Sequence, residues 1–143
     1  MKELLESVDN FRYKADSLIQ NALVCKKTAE TTLAWRSLQM AKSWLGKYKG
    51  ELGAQTPYVV VQNVKDIPKT AEVFEGEMIV SDGGLQDVNT MRQEIGSFIE
   101  AIKYTIPDAN ATIAILNVVN HLSEARFWYG FELQSMREKE LAK

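Results

Sequence analysis

Apolar residues return every three or four positions in four separate runs along this chain. That is the spacing of one face of an α-helix, and it constrains the fold more than any other feature. The first run is Leu4, Val8, Phe11, Ala15, Leu18, Ala22 and Cys25. The second is Ala34, Leu38, Ala41, Leu45, Tyr48 and Leu52, entered after threonines able to cap a helix and left among Gly46, Gly50 and Gly53. Val88, Met91, Ile95, Phe98 and Ile102 form the third, with Ser81 or Asp82 as N-cap before Gly83-Gly84. Ile106-Pro107-Asp108 then supplies a turn, and Ile115, Val118, Leu122, Ala125, Tyr129 and Met136 make the fourth. Each stripe needs a partner to cover it, and helices in sequence joined by short turns pair antiparallel. The expected fold is therefore mostly α: a helical bundle of two antiparallel hairpins, 1–53 and 85–143, within a single domain 1–143.

The intervening segment 54–84 reads differently. Tyr58-Val-Val-Val-Gln62 and Glu77-Met-Ile-Val80 favour extended backbone, and Pro68 interrupts what lies between them. Two short strands alone are marginally stable, so this extended or β link is expected to pack across the helices or pair with a second subunit.

Shifting the sequence by 84 positions lays Leu38 on Leu122, Ala41 on Ala125, Lys42 on Arg126, Trp44 on Trp128 and Gly46 on Gly130. Apolar stripes align easily by chance, whereas a shared Trp and a shared mid-helix Gly do not, and the pattern Leu-x-x-Ala-basic-x-Trp-x-Gly points to duplication.

Charge narrows the partners. The formal net charge is −2, yet Lys26–Lys49 carries six basic residues against the single acid Glu30, and Gly50–Glu100 carries three basic against nine acidic. An acidic chain is poorly suited to tracking a long nucleic-acid backbone, while a small anionic ligand stays open. No run approaches the roughly 18 apolar residues of a membrane span, and the acidic start Met1-Lys-Glu-Leu-Leu-Glu does not read as a signal peptide. The lone Cys25 forms no internal bridge, so a reducing cytoplasm is the expected location.

Catalytic chemistry finds little purchase in the sequence. His121 is the only histidine and has no nucleophile or acid at triad spacing, the Glu-x-x-His pairs of a di-iron bundle are missing, and the glycines lack a phosphate-loop signature. Asp87, Glu94, Glu100, Glu124 and Glu132 read as solvated helix faces. No catalytic residue, metal or cofactor is expected. The second helix is more suggestive, because Trp35, Trp44 and Tyr48 interleave with Arg36, Lys42, Lys47 and Lys49, and the fourth repeats the theme with Arg126, Phe127, Trp128 and Tyr129. Arg92 adds a cation from the third. Rings stack on bases and cations seek phosphates, although Trp44 beside the stripe equally suits closure of the hairpin core. The candidate ligand-binding set is Arg36, Lys42, Trp44, Tyr48, Arg92, Arg126, Trp128 and Tyr129.

The strings Leu33-Ala-Trp-Arg-Ser-Leu-Gln-Met-Ala-Lys-Ser-Trp-Leu-Gly46 and His121-Leu-Ser-Glu-Ala-Arg-Phe-Trp-Tyr-Gly130 resemble the helical-hairpin domain of phage anti-defence sponge proteins of the anti-Thoeris and anti-CBASS kinds. The resemblance covers both hairpins and implies a protein that sequesters a cyclic nucleotide or cyclic ADP-ribose immune signal without destroying it. It points to Trp44, Trp128, Lys42 and Arg126 as positions to test, in the host cytoplasm; a homo-oligomer is expected separately, because four narrow stripes and a strand-like link leave apolar edges for a second copy to cover. The other expectations are a homo-oligomeric interaction or assembly module of phage origin, built on the heptad seams, and, third, a weak nucleotide-processing enzyme.

Overall fold

The computed structural model of the chain describes residues 2–53 and 85–142. Its helices follow the four stripes: α1 (Lys2–Ala22), α2 (Ala29–Glu51), α3 (Leu85–Thr105) and α4 (Ile113–Leu141). A single 3-10 turn at Asp108–Asn110 follows Pro107, where the sequence places the break. The described residues contain helices and turns and no strand. The link expected at 54–84, with its two extended segments and the caps at Ser81 or Asp82, lies outside the described residues.

Helix boundaries follow local chemistry. Thr28 begins α2 with a capping box: its Oγ1 accepts from the Thr31 amide at 3.1 Å, and the Thr31 Oγ1 accepts from the Thr28 amide at 2.8 Å. Two of the orphan donors at the helix start are satisfied in this way. At the other end the Leu52 amide bonds to the Tyr48 carbonyl, and Gly53 takes φ +85, a left-handed conformation that favours glycine.

All neighbouring helices run antiparallel, as the cross-helix contacts show. Lys42 meets Asp16 and Lys49 meets Asp9 between α2 and α1. Arg126 lies against Gly96 and Arg92 against Gly130 between α4 and α3. The seam between hairpins joins α2 to α4, tied by Thr28 to Glu132 near one end, Ser37 to Glu124 midway, and Tyr48 to Asn110 at the other. The Phe11 and Phe98 rings meet between α1 and α3 with centroids 5.9 Å apart. The stripes turn inward together, and Val8, Ala15, Leu18, Ala34, Leu38, Met91, Ile95, Val118 and Leu122 belong to one continuous core shared by both hairpins.

This register makes the duplication geometric. A shift of 84 carries α2 onto α4, and the two run antiparallel with Leu38 level with Leu122, so the hairpins are related by an approximate two-fold axis between those leucines. Both residues are fully buried. For the first helix of each hairpin the equivalent shift is 80, pairing Val8 with Val88, Phe11 with Met91, Arg12 with Arg92, Asp16 with Gly96 and Leu18 with Phe98. Arg12 against Gly46 and Arg92 against Gly130 are then the same contact made twice.

Candidate ligand groove between the third and fourth helices

The eight expected site residues fall into four environments. Tyr48 and Tyr129 lie in the core, 1% and 0% exposed, so their ring faces are covered by protein. Both stand on the apolar stripe, where a ring contributes more as packing than as a ligand platform. The Tyr48 hydroxyl donates to the Asn110 carbonyl at 3.4 Å, whereas the Tyr129 hydroxyl has no hydrogen-bond partner among the described residues. Burial pushes both phenols above their ordinary range, helped by Glu51 at Tyr48 and by Cys25 at Tyr129.

Lys42 is committed elsewhere, because its Nζ lies 2.5 Å from the buried Asp16 carboxylate. Trp44 is half-buried against the core beside it. Arg36 is exposed and lines a small groove of about 310 Å³ with Lys27, Trp35 and the Cys25 turn.

Arg92 and Arg126 do come together, whereas Trp128 does not line the groove they share and only backs the rings of Phe127 and Phe131. The two arginines reach across the α3–α4 interface toward glycines on the opposite helix: Arg126 lies against Gly96, and Arg92 against Gly130. Without side chains at those glycines, each guanidinium can lie close to the neighbouring backbone. Around them runs a groove of about 650 Å³, lined also by Ser123, Phe127, Phe131, Gln134 and Arg137. No hydrogen bond or ion pair holds Arg92, Arg126 or Arg137 among the described residues, so three cations share one concave surface. At ordinary side-chain separations such cations repel one another and favour an anion between them. Aromatic surface adjoins the charge. Phe127 is 61% exposed and Phe131 47%, and both pack edgewise on the half-buried Trp128, at centroid distances of 5.2 and 6.2 Å. That support fixes the rings while leaving their outer surfaces open to solvent.

Arg137, Phe127 and Phe131 lie outside the set expected from the sequence, yet a signal for them existed. Phe127 and Phe131 are four residues apart and off the apolar stripe, and Arg137 is three turns beyond Arg126, on the same face of α4. Large rings where periodicity demands a polar face announce a surface that is not merely solvated.

Glu132 corrects a second expectation. It is buried rather than solvated, 5% exposed, and accepts from the Thr28 Oγ1 at 3.0 Å. It occupies the stripe position equivalent to Tyr48, and the carboxylate fastens α4 to the start of α2. His121 is partly buried, with Nδ1 3.4 Å from a Glu124 carboxylate oxygen one turn along α4. Among the described residues no cluster of His, Cys, Asp and Glu is placed to hold a metal ion, and no helix is long and apolar enough to cross a membrane. Comparisons with protein-family models, curated proteins and solved structures found no match.

Proposed function

We propose that this chain is a non-catalytic binding protein that captures a small anionic ligand bearing an aromatic base, in the groove between α3 and α4. The ligand class we favour is a cyclic nucleotide or cyclic ADP-ribose-type immune signal, held as a phage anti-defence sponge would hold it. The observation that carries this reading is the convergence of Arg92, Arg126 and Arg137, without an ionic partner among the described residues, beside the open rings of Phe127 and Phe131. Guanidinium groups present forked donors suited to phosphate oxygens, and rings stack on a base whatever its sequence identity. Sequestration asks for binding groups alone, and the cations, the rings, the Gln134 amide and the Ser123 hydroxyl of the groove suit that task.

The test is equilibrium dialysis against a panel of cyclic mono-, di- and trinucleotides and cyclic ADP-ribose, followed by heat denaturation and chromatography of the released ligand. Retention of one class, recovered chemically unchanged, is the expected result. Altered product would make the protein an enzyme, and retention of none would remove the nucleotide reading.

A homo-oligomeric assembly module is the second reading, favoured by one observation: Ile113, Leu116, Phe127 and Phe131 are large exposed apolar residues distributed along α4. Under that reading, sedimentation shows an oligomer that Phe127→Ser and Phe131→Ser dissociate, with no nucleotide retained.

A further inference from the structure

The approximate two-fold gives the groove an internal counterpart, and the two differ in charge. In the first hairpin Arg12 lies against Gly46 as Arg92 does against Gly130, and Lys42 reaches α1 as Arg126 reaches α3. The residue it reaches is an acid: Asp16 receives Lys42 at 2.5 Å with its side chain only 5% exposed. Two turns away Asp9 receives Lys49 at 2.7 Å. At the equivalent positions of α3 stand Asn89 and Gly96, neither able to supply a negative charge. At the Lys42 position the first hairpin therefore neutralises the cation with its own carboxylate, while the second keeps the cation as Arg126 and lacks the acid; at the Lys49 position both partners are gone, replaced by Leu133 and Asn89.

We propose that the two hairpins hold equivalent anion seats, that Asp16 fills the first from within the chain, and that Gly96 leaves the second open to a phosphate-type anion. The Asp16–Lys42 pair thereby marks which cation takes a ligand's phosphate in the second hairpin: the Arg126 guanidinium, which lies against Gly96 and lines the groove together with Arg92. One anion binds per chain, in the second hairpin. This rests on the reading of the groove as a nucleotide site, and it adds which atoms take the phosphate and why the first hairpin takes none.

Geometry makes the inference testable by refilling the seat. A Cβ added at Gly96 would lie 3.5 Å from Arg126 Nε, ordinary van der Waals contact, so an aspartate fits there and sets its carboxylate against that guanidinium as Asp16 is set against Lys42. Short-range pairing within the chain then competes directly with the ligand.

The probe is inorganic pyrophosphate, titrated calorimetrically into the full chain at low ionic strength, with melting followed by circular dichroism for every variant. The parent is expected to bind one pyrophosphate per chain. Gly96→Asp is expected to melt at or above the parent temperature and to weaken binding at least tenfold. Ser97→Asp, which adds the same charge to the same helix at an exposed position one residue away from the Gly96–Arg126 contact, is expected to weaken it no more than about threefold through long-range charge. Equal loss in the two variants, undiminished binding in Gly96→Asp, or two anions per parent chain would overturn the seat. Should Gly96→Asp fail to fold, Arg126→Gln replaces it, and unchanged pyrophosphate binding there is equally fatal. If nucleotides are retained by the parent while any of these adverse results holds, the seat alone fails; if the parent retains neither nucleotides nor pyrophosphate, both readings fall.

Discussion

The two hairpins share a backbone plan and a core, yet they settle their polar residues in opposite ways. In the first, Lys42 and Lys49 close on Asp16 and Asp9, and Ser43 and Lys47 occupy the positions equivalent to Phe127 and Phe131. In the second, arginines stand without acids and rings replace the small and charged residues. A pair of copies under no separate demands would be expected to drift at random on the surface. Here Asp16 gives way to Gly96 while the cation opposite is kept, and Ser43 and Lys47 give way to the rings of Phe127 and Phe131, so the second hairpin gains an aromatic groove beside an arginine without an acid. One face is tied shut by ion pairs and the other is left without them, and on the proposed reading the missing anion is supplied by a ligand.

Where the halves are alike, they should fail alike, and there the effect is largest. Leu38 and Leu122 are both 0% exposed at the approximate two-fold, and truncating a buried leucine costs about 2–5 kcal/mol. Leu38→Ala and Leu122→Ala should lower stability by similar amounts in urea titrations. A gap larger than about 2 kcal/mol between them would show that the core is not symmetric in energy, and the geometric equivalence would lose its meaning.

Substituting the cations should separate the hairpins. Lys42→Ala withdraws the ion partner of a buried carboxylate, and breaking such a pair from one side destabilises by about 3 kcal/mol. Arg126→Ala removes an exposed cation without an ion pair among the described residues, and substitutions of that kind usually stay within about 0.5 kcal/mol. Equal melting of the two variants would erase that contrast between the hairpins.

A pH titration probes the shared end of the bundle, where the α1–α2 turn approaches α3 and α4. Burial, reinforced by Asp87 and Glu132, pushes the Cys25 thiol up from 9.0 to about 12. Unfolding therefore releases the proton between pH 9 and 12, and stability falls as pH rises through that interval. The thiol's share is at most about 1.4 kcal/mol per pH unit. Cys25→Ala should flatten the fall, leaving the part due to Tyr48 and Tyr129, and the native thiol should react with a disulfide reagent at pH 8 far more slowly than the urea-unfolded chain. Equal rates would mean that the turn opens readily.

Periodicity made most of the bundle legible. The four stripes, the turn at Pro107 and the capping threonines recur in the structure within a few residues of their expected places, because apolar spacing and cap chemistry act over one or two turns. The site was legible only in part. Lys42 and Arg126 look interchangeable in sequence, since the repeat lays one on the other. Their difference depends on residues of another helix, Asp16 and Gly96, that come opposite only when α1 and α3 are placed by a different shift from α2 and α4. Tyr48 and Tyr129 stood on the stripe from the start, and a ring on a stripe belongs to the core before it belongs to a ligand. Glu132 also stood on the stripe, and its burial rests on a hydroxyl more than a hundred residues earlier, which no local pattern records.

The smallest expected effect is also the finest test of the comparison, because it concerns two threonines that the repeat makes identical. Thr28 and Thr112 are 84 positions apart and each is the N-cap of its hairpin's second helix, with extended backbone. Thr28 uses its hydroxyl fully: it accepts from the Thr31 amide and donates to Glu132, so Thr28→Ala removes a cap and leaves a buried carboxylate one donor short. A lost threonine cap alone costs about 0.5–2 kcal/mol, and the carboxylate should bring the sum to the upper part of that range. Thr112 makes no side-chain cap bond, and its Oγ1 is buried with no hydrogen-bond partner among the described residues. Replacing it by alanine discards a desolvated hydroxyl that satisfies nothing, so the change should fall within about 0.5 kcal/mol of zero. Chemical denaturation of the two single mutants and the double mutant measures this directly, with additivity expected because the two caps share no partner. If Thr112→Ala proved as costly as Thr28→Ala, the second hairpin would have a working cap after all, and the two copies would be more alike at their helix starts than in their grooves.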